Sequence, residues 1–178
     1  MAPPEHIVVV TGSDPKLIVD YTAFRAVQEM TGIGFTRLDK ATFKQFSDHM
    51  RRLRMSGDTM PDLHFAMHMS SDGAQFADAL ISPEQLSRTL SRVKVLFLAG
   101  CENIAIGDQL GLVPAVVTLI EKIEHDDARA FTELFWMARA RGYEPRDAYK
   151  IALEPLGDIG EYAYLHIHSD FLAPKTAG

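Results

Sequence analysis

Two rhythms of apolar residues alternate along the chain. Short apolar runs closed by turn residues give way to stretches in which apolar positions recur every three or four residues. The first run, His6-Ile7-Val8-Val9-Val10-Thr11, is rich in β-branched residues and closes on Gly12-Ser13-Asp14-Pro15, so it predicts a buried strand and a turn. Leu17, Ile18, Tyr21, Phe24, Val27 and Met30 then keep a helical period until Gly32 and Gly34 break it. Phe35–Leu38 predicts a short strand, and residues 41–55 a second helix. Leu63–His68 and Val93–Cys101 are two further strand-like runs. Between them Ser82-Pro83-Glu84-Gln85 opens a helix, with serine to cap it and proline at its first position. Pro114–Ile120 predicts another buried strand, 126–141 and 144–153 predict helices, and Tyr162–His168 alternates like an edge strand. Strands alternating with helices imply an α/β fold. Its expected form is a mainly parallel sheet of about six strands with helices on both faces, in a single domain spanning 1–178.

Composition narrows the function. The chain is 47% hydrophobic with a formal net charge of -6, which argues against nucleic acid, since such partners need clustered cations. The one basic run, Arg51-Arg52-Leu53-Arg54, is expected to end a helix, where cations complement the dipole. No apolar stretch approaches membrane-spanning length, and the start of the chain lacks a signal-peptide pattern. A single cysteine rules out an internal disulfide framework. A cytoplasmic location with no membrane partner is therefore expected.

That cysteine is also the main chemical candidate. Cys101 ends one apolar run and His68 ends another. On adjacent parallel strands a thiol and an imidazole would meet at the carboxyl edge of the sheet, where open α/β folds place their sites. A thiol beside a base is a nucleophile; a thiol alone is a small buried hydrophobe. Asp14 lies on the same edge, either lining a pocket for a basic substrate side chain or forming a turn. Asp72 either orients His68 or forms a turn, and His64 shares a face with His68 as a hydrogen-bonded interior residue. His166 and His168 share one strand face, but two ligands do not make a zinc site, so no metal and no cofactor are expected. The stretch Gly12–Lys16 lacks the glycine-rich lysine signature of a phosphate loop.

The runs His64-Phe65-Ala66-Met67-His68 and Phe97-Leu98-Ala99-Gly100-Cys101-Glu102-Asn103, taken in order, resemble the CHAT family of caspase-like domains. So do Ala79–Leu86 between them, the apolar strand after them, Gly142-Tyr143-Glu144-Pro145-Arg146-Asp147-Ala148, and the aromatic Tyr162–Leu165. The resemblance implies a three-layer caspase-like fold and a cysteine endopeptidase cleaving a partner protein. It implies His68 as general base, Cys101 as nucleophile, and the backbone N–H groups of Met69 and Cys101 as the oxyanion hole. A protein or peptide substrate, and an activating protein partner or larger complex, follow from the same resemblance. Met69 stands where the family carries glycine. This keeps open an alternative, a catalytically impaired caspase-fold module that binds a peptide or protein partner.

Overall fold

Ile7 to Val10 are buried on both sides of the first strand, as a central parallel strand covered by helices requires. A computed structural model describes residues 1–13, 21–157 and 159–168. Its elements run β1 (His6–Thr11), α1 (Tyr21–Thr31), β2 (Gly34–Leu38), α2 (Phe43–Ser56), β3 (Asp62–Ser70), β4 (Gly73–Gln75) and β5 (Leu80–Ile81). There follow α3 (Pro83–Thr89), β6 (Val95–Cys101), α4 (Ala105–Gln109), β7 (Ala115–Ile120), α5 (His125–Ala140), α6 (Pro145–Leu153) and β8 (Ala163–Ile167). The main sheet has the order β2-β1-β3-β6-β7-β8, parallel except for β8, and the small β4–β5 hairpin extends β3. The result is a three-layer α/β fold with a mostly parallel, mixed sheet.

Local chemistry sets the helix ends. Thr42 and Gln45 cap α2 reciprocally, Gln45 N–H to Thr42 Oγ1 at 3.1 Å and Thr42 N–H to Gln45 Oε1 at 2.9 Å, and Gly57 ends the helix at φ 77°. Ser82 accepts from the Gln85 N–H at 3.3 Å, with Pro83 opening α3. The basic run falls in the second half of α2, where Arg51 pairs with Asp48 and Arg54 donates to the Thr89 carbonyl. The excursion Gly73–Ile81 forms the β4–β5 hairpin, and Ala105–Gln109 is a short helix after β6.

Two cores lie on the two faces of the sheet. One contains Val8, Val10, Leu63, Phe65, Met67, Met69, Leu96, Leu98 and Cys101 under α2, α3 and α4. The other contains Ile7, Val9, Val95, Phe97, Val117 and Leu119 under α1, α5 and α6. The chain leaves β1 over the second face to reach β2, then returns over the first face to reach β3 on the other side of β1. Right-handed crossovers demand that change of face when the winding direction reverses. The reversal leaves a topological switch point between the carboxyl ends of β1 and β3.

His64 anchors the second core. Trp136 Nε1–H donates to His64 Nδ1 at 3.2 Å, Phe97 stacks on the imidazole at 4.7 Å between centroids, and Phe24 meets it edge-on at 5.0 Å. Complete burial pushes the His64 pKa down to about 3, so the folded protein holds this ring neutral. The unfolded chain binds a proton there below about pH 6.5. The contribution of His64 to stability is therefore intact above that value and is lost progressively as pH falls toward 3. Buried Asp62 has the opposite sign: burial raises its pKa to about 6 despite Arg139, so its term weakens stability as pH rises from near 4 to 6. His64→Gln, which keeps an acceptor for Trp136, is expected to flatten the loss of stability between pH 6.5 and 4. Urea midpoints across that window check it; an unchanged slope would mean that His64 does not carry the acid lability.

Candidate functional site at the carboxyl edge of the sheet

The strand ends that carry chemistry are those of β1, β3, β6 and β7. Up to Ala66 and Ala99 the alternation of β3 and β6 is in step, with His64, Ala66, Val95, Phe97 and Ala99 toward the second core. Continued alternation would put His68 and Cys101 on that same face. The register shifts instead. Ala66 pairs with Ala99 but Met69 with Cys101, and on the other flank Ala99 pairs with Leu119 but Cys101 with Ile120. Gly100, at φ 96°, takes the backbone conformation that makes this irregularity. One residue out of step inverts the faces beyond it. Cys101 therefore packs into the first core beside Met69, while His68 lies on the opposite face.

The consequences for Cys101 are severe. Its side chain is 0% exposed and its thiol donates to the Leu98 carbonyl at 3.7 Å. Burial, with Glu121 adding to it, pushes the thiol pKa up to about 12. A nucleophilic cysteine needs the reverse environment, accessible and electropositive. The expected Cys101/His68 dyad is not assembled, because the bulge at Gly100 sends the two side chains to different faces. The expected oxyanion pair is likewise built into the sheet: Met69 pairs with Ala74 and Cys101, and Cys101 with Met69 and Ile120. Asp14 lies outside the described residues.

What His68 does meet is Glu121. The His68 Nδ1 lies 3.6 Å from Glu121 Oε2, with side-chain exposures of 35% and 40%. Glu121 follows β7 directly, and its N–H donates to the Cys101 carbonyl at 3.0 Å. The two side chains straddle β6 at the level of Gly100, which places no side chain between them. A carboxylate on Nδ1 leaves Nε2 as the free nitrogen of the ring. The sequence reading overlooked Glu121, although an acid just past an apolar strand on the same edge was the available signal. Asp72 is an exposed turn residue whose N–H donates to Ser70 Oγ at 3.2 Å, so the orienting carboxylate is Glu121 instead.

The rest of the edge is filled. A β-carbon on Gly12 would come 2.5 Å from the Gln75 carbonyl oxygen and 3.0 Å from Met67 Cβ, so the β4–β5 hairpin closes the first-core side of the switch point. The side bearing His68 is not closed by that hairpin. Elsewhere, Thr118 Oγ1, His166 and Asp108 form a hydroxyl–imidazole–carboxylate row at 3.2 and 2.9 Å. Thr118 is 0% exposed, so the row fastens α4 to β8 rather than meeting a substrate. His168 helps by contacting the Gly107 carbonyl at 3.2 Å. Among the described residues no group of three or more His, Cys, Asp or Glu is arranged to hold a metal ion. A cleft of about 550 Å³ beside β2 is lined by Arg37, Asp39, Gln45, Asp48, Arg51 and Arg52, with Arg37 and Arg51 already paired to Asp39 and Asp48. No described helix is long and apolar enough to cross a membrane.

No family model matches this chain, and no curated protein does. Among solved structures, an ADP complex of Bacillus subtilis pyridoxal kinase is similar over 85% of this chain and 90% of that one, at 9% identity and a TM-score of 0.46. No family match supports the CHAT resemblance. The inaccessible thiol, packed on the face of the sheet opposite His68, removes the chemistry that the resemblance implied, and the assignment to that family is withdrawn. The caspase-like cysteine peptidase and its peptide-binding alternative are withdrawn with it.

Proposed function

We propose that this protein is an enzyme acting on a small polar molecule at the switch point between β1 and β3, with His68 moving the proton and Glu121 holding its ring. The observation that carries this reading is the His68–Glu121 pair. Both groups are partly exposed, at 35% and 40%, lie on the side the hairpin leaves open, and sit at the carboxyl ends of parallel strands. Ligands of open α/β sheets bind in this crevice. An imidazole within reach of a carboxylate is the commonest general acid–base arrangement, and a positioned group of this kind contributes roughly 10²–10⁴-fold in rate. The distance of 3.6 Å exceeds a hydrogen bond, and such contacts tighten when substrate is bound. The chain acts as one domain in this proposal. A cytoplasmic setting suits its one buried, unbridged thiol.

Hydrolysis of p-nitrophenyl acetate near neutral pH provides a test that needs no knowledge of the natural substrate. The protein should exceed the rate of free imidazole at equal concentration. His68→Gln should lower kcat by about a hundredfold or more with little change in KM. Glu121 acts through His68, so Glu121→Gln should lower kcat less than His68→Gln does, again with little change in KM. A rate no higher than that of free imidazole, or one indifferent to His68→Gln, would sink the proposal.

A further inference from the structure

The cleft beside β2 opens between that edge strand and α2, and no residue of β3 or β7 lines it. Arg37 and Asp39 form one wall, Asp48, Arg51 and Arg52 the other. Two of the three guanidinium groups are held in place. Arg37 lies over the Tyr21 ring, its Cζ 3.6 Å from the centroid, and donates to Asp39 Oδ2 at 2.7 Å. The Tyr21 hydroxyl donates to the other oxygen of Asp39. Across the cleft Arg51 donates to Asp48 Oδ1 at 3.1 Å, while Lys44 donates to Asp48 Oδ2 at 2.5 Å. Arg52 is exposed and has no hydrogen-bonded carboxylate among the described residues; it acts on Asp48 only through its field. Arg37, Lys44, Arg51 and Arg52 thus exceed Asp39 and Asp48 by two positive charges, in a chain whose formal net charge is -6.

The backbone donors nearby are already engaged. Asp78 accepts from the Phe43 N–H, the Gln45 side chain from the Thr42 N–H, and Thr42 Oγ1 from the Gln45 N–H. An anion in this cleft is therefore held by guanidinium groups and not by the start of α2. Guanidinium forks pair with the oxygens of phosphate or carboxylate. A surplus of two positive charges suits a phosphoryl group, which carries close to two negative charges near neutral pH, better than a single carboxylate. The cleft measures about 550 Å³, within the range of about 300–1,000 Å³ typical of small-molecule sites and more than a lone oxyanion fills. Leu38 and Ala41 give the rest of a ligand an apolar wall. The rim is fixed to β1, with the Lys40 N–H on Thr11 Oγ1 at 2.8 Å and the Ala41 N–H on the Thr11 carbonyl at 2.9 Å. We infer that this cleft binds small organic phosphate monoesters, with Arg52 gripping the phosphoryl oxygens and Arg37 and Arg51 flanking them. Asp39 and Asp48 orient the flanking arginines, and Arg52 supplies the charge that no carboxylate of the protein has taken up.

Calorimetric titration with phenyl phosphate, at low ionic strength in a phosphate-free buffer, provides the test. The expected result is saturable one-to-one binding with Kd below about 1 mM, weakened about tenfold in Arg52→Met. Arg52→Lys keeps the charge but loses the fork, and should weaken binding by about threefold. Arg52 and Arg141 are both exposed, so their replacement leaves the fold intact. Arg141→Met removes the same charge from the end of α5, on the other face of the sheet, and should leave the affinity unchanged. His68→Gln should leave it unchanged too, so the inference stands or falls apart from the acid–base reading. Inorganic phosphate and benzoate serve as comparison ligands, and both should bind more weakly than phenyl phosphate. Equal affinity for inorganic phosphate would overturn the ester as ligand, and equal affinity for benzoate would overturn the preference for a phosphoryl group. No saturation up to about 10 mM, or equal weakening by Arg52→Met and Arg141→Met, would overturn the site itself.

Discussion

Cys101 in the folded protein should react with iodoacetamide near neutral pH about a thousandfold more slowly than a free thiol, or slower still. The thiol is pushed from an ordinary value of 9.0 up to about 12, and thiolate is the reacting form, so each factor of ten in acidity removes a factor of ten in rate. Exclusion from solvent adds to this, because the side chain is 0% exposed within the core formed with Met69 and Leu98. Labelling should then appear together with unfolding when urea is added, since only the open chain presents the sulfur. Cys101→Ala should leave p-nitrophenyl acetate hydrolysis unchanged, because no step at the carboxyl edge uses the sulfur. Time-resolved mass spectrometry across a urea series measures the first effect. Rapid labelling in the native buffer would restore Cys101 as a candidate nucleophile and contradict the face inversion at Gly100.

Much of the architecture was legible in the amino-acid pattern. The runs ending at Thr11, His68, Cys101 and Ile120 became β1, β3, β6 and β7, and the threefold and fourfold spacings became α1, α2, α5 and α6. Those signals are local and periodic. The candidate site was half legible. His68 was found because it ends an apolar run, and it lies at the carboxyl edge. Its partner was misjudged because a run buried on both faces carries no alternation to show which residue faces which side. The register shift depends on Gly100 at φ 96°, and a glycine in a sequence does not announce its φ. The β4–β5 hairpin escaped notice because strands of three and two residues are too short for a period to show. The β4–β5 hairpin nevertheless decides which side of the switch point stays open. The contacts that tie the fold together, Trp136 to His64 and Arg139 to Asp62, join residues more than seventy positions apart. Sequence spacing could not reveal them.

The Asp62–Arg139 pair supports the largest stability effect expected in this chain. Arg139, at 0% exposure near the end of α5, is held at the amino edge of the sheet. It donates to Asp62 Oδ2 at 3.1 Å, to the Ala2 carbonyl at 3.2 Å and to the Tyr143 carbonyl at 2.6 Å. Its buried Nε has no hydrogen-bond partner among the described residues. One carboxylate therefore balances a fully desolvated guanidinium, while two carbonyls satisfy part of its fork. Asp62→Ala removes the only negative charge bonded to it among the described residues and should cost about 3–5 kcal/mol, as breaking a buried pair from one side does. Near pH 5 the cost should be larger than near pH 8. Burial raises the Asp62 pKa to about 6, so the wild type loses stability as pH rises from near 4 to 6, while the variant has no carboxyl there to titrate. Replacing both partners, as Asp62→Leu with Arg139→Met, removes the desolvated charges together and should recover most of the loss. Urea unfolding of the two single variants and the double variant at both pH values measures the coupling. If Asp62→Ala costs less than about 1 kcal/mol at pH 8, the pair is screened by water and does not pin α5 to the sheet. If the double variant is less stable than either single variant, the pair contributes packing and hydrogen bonding that apolar side chains do not replace.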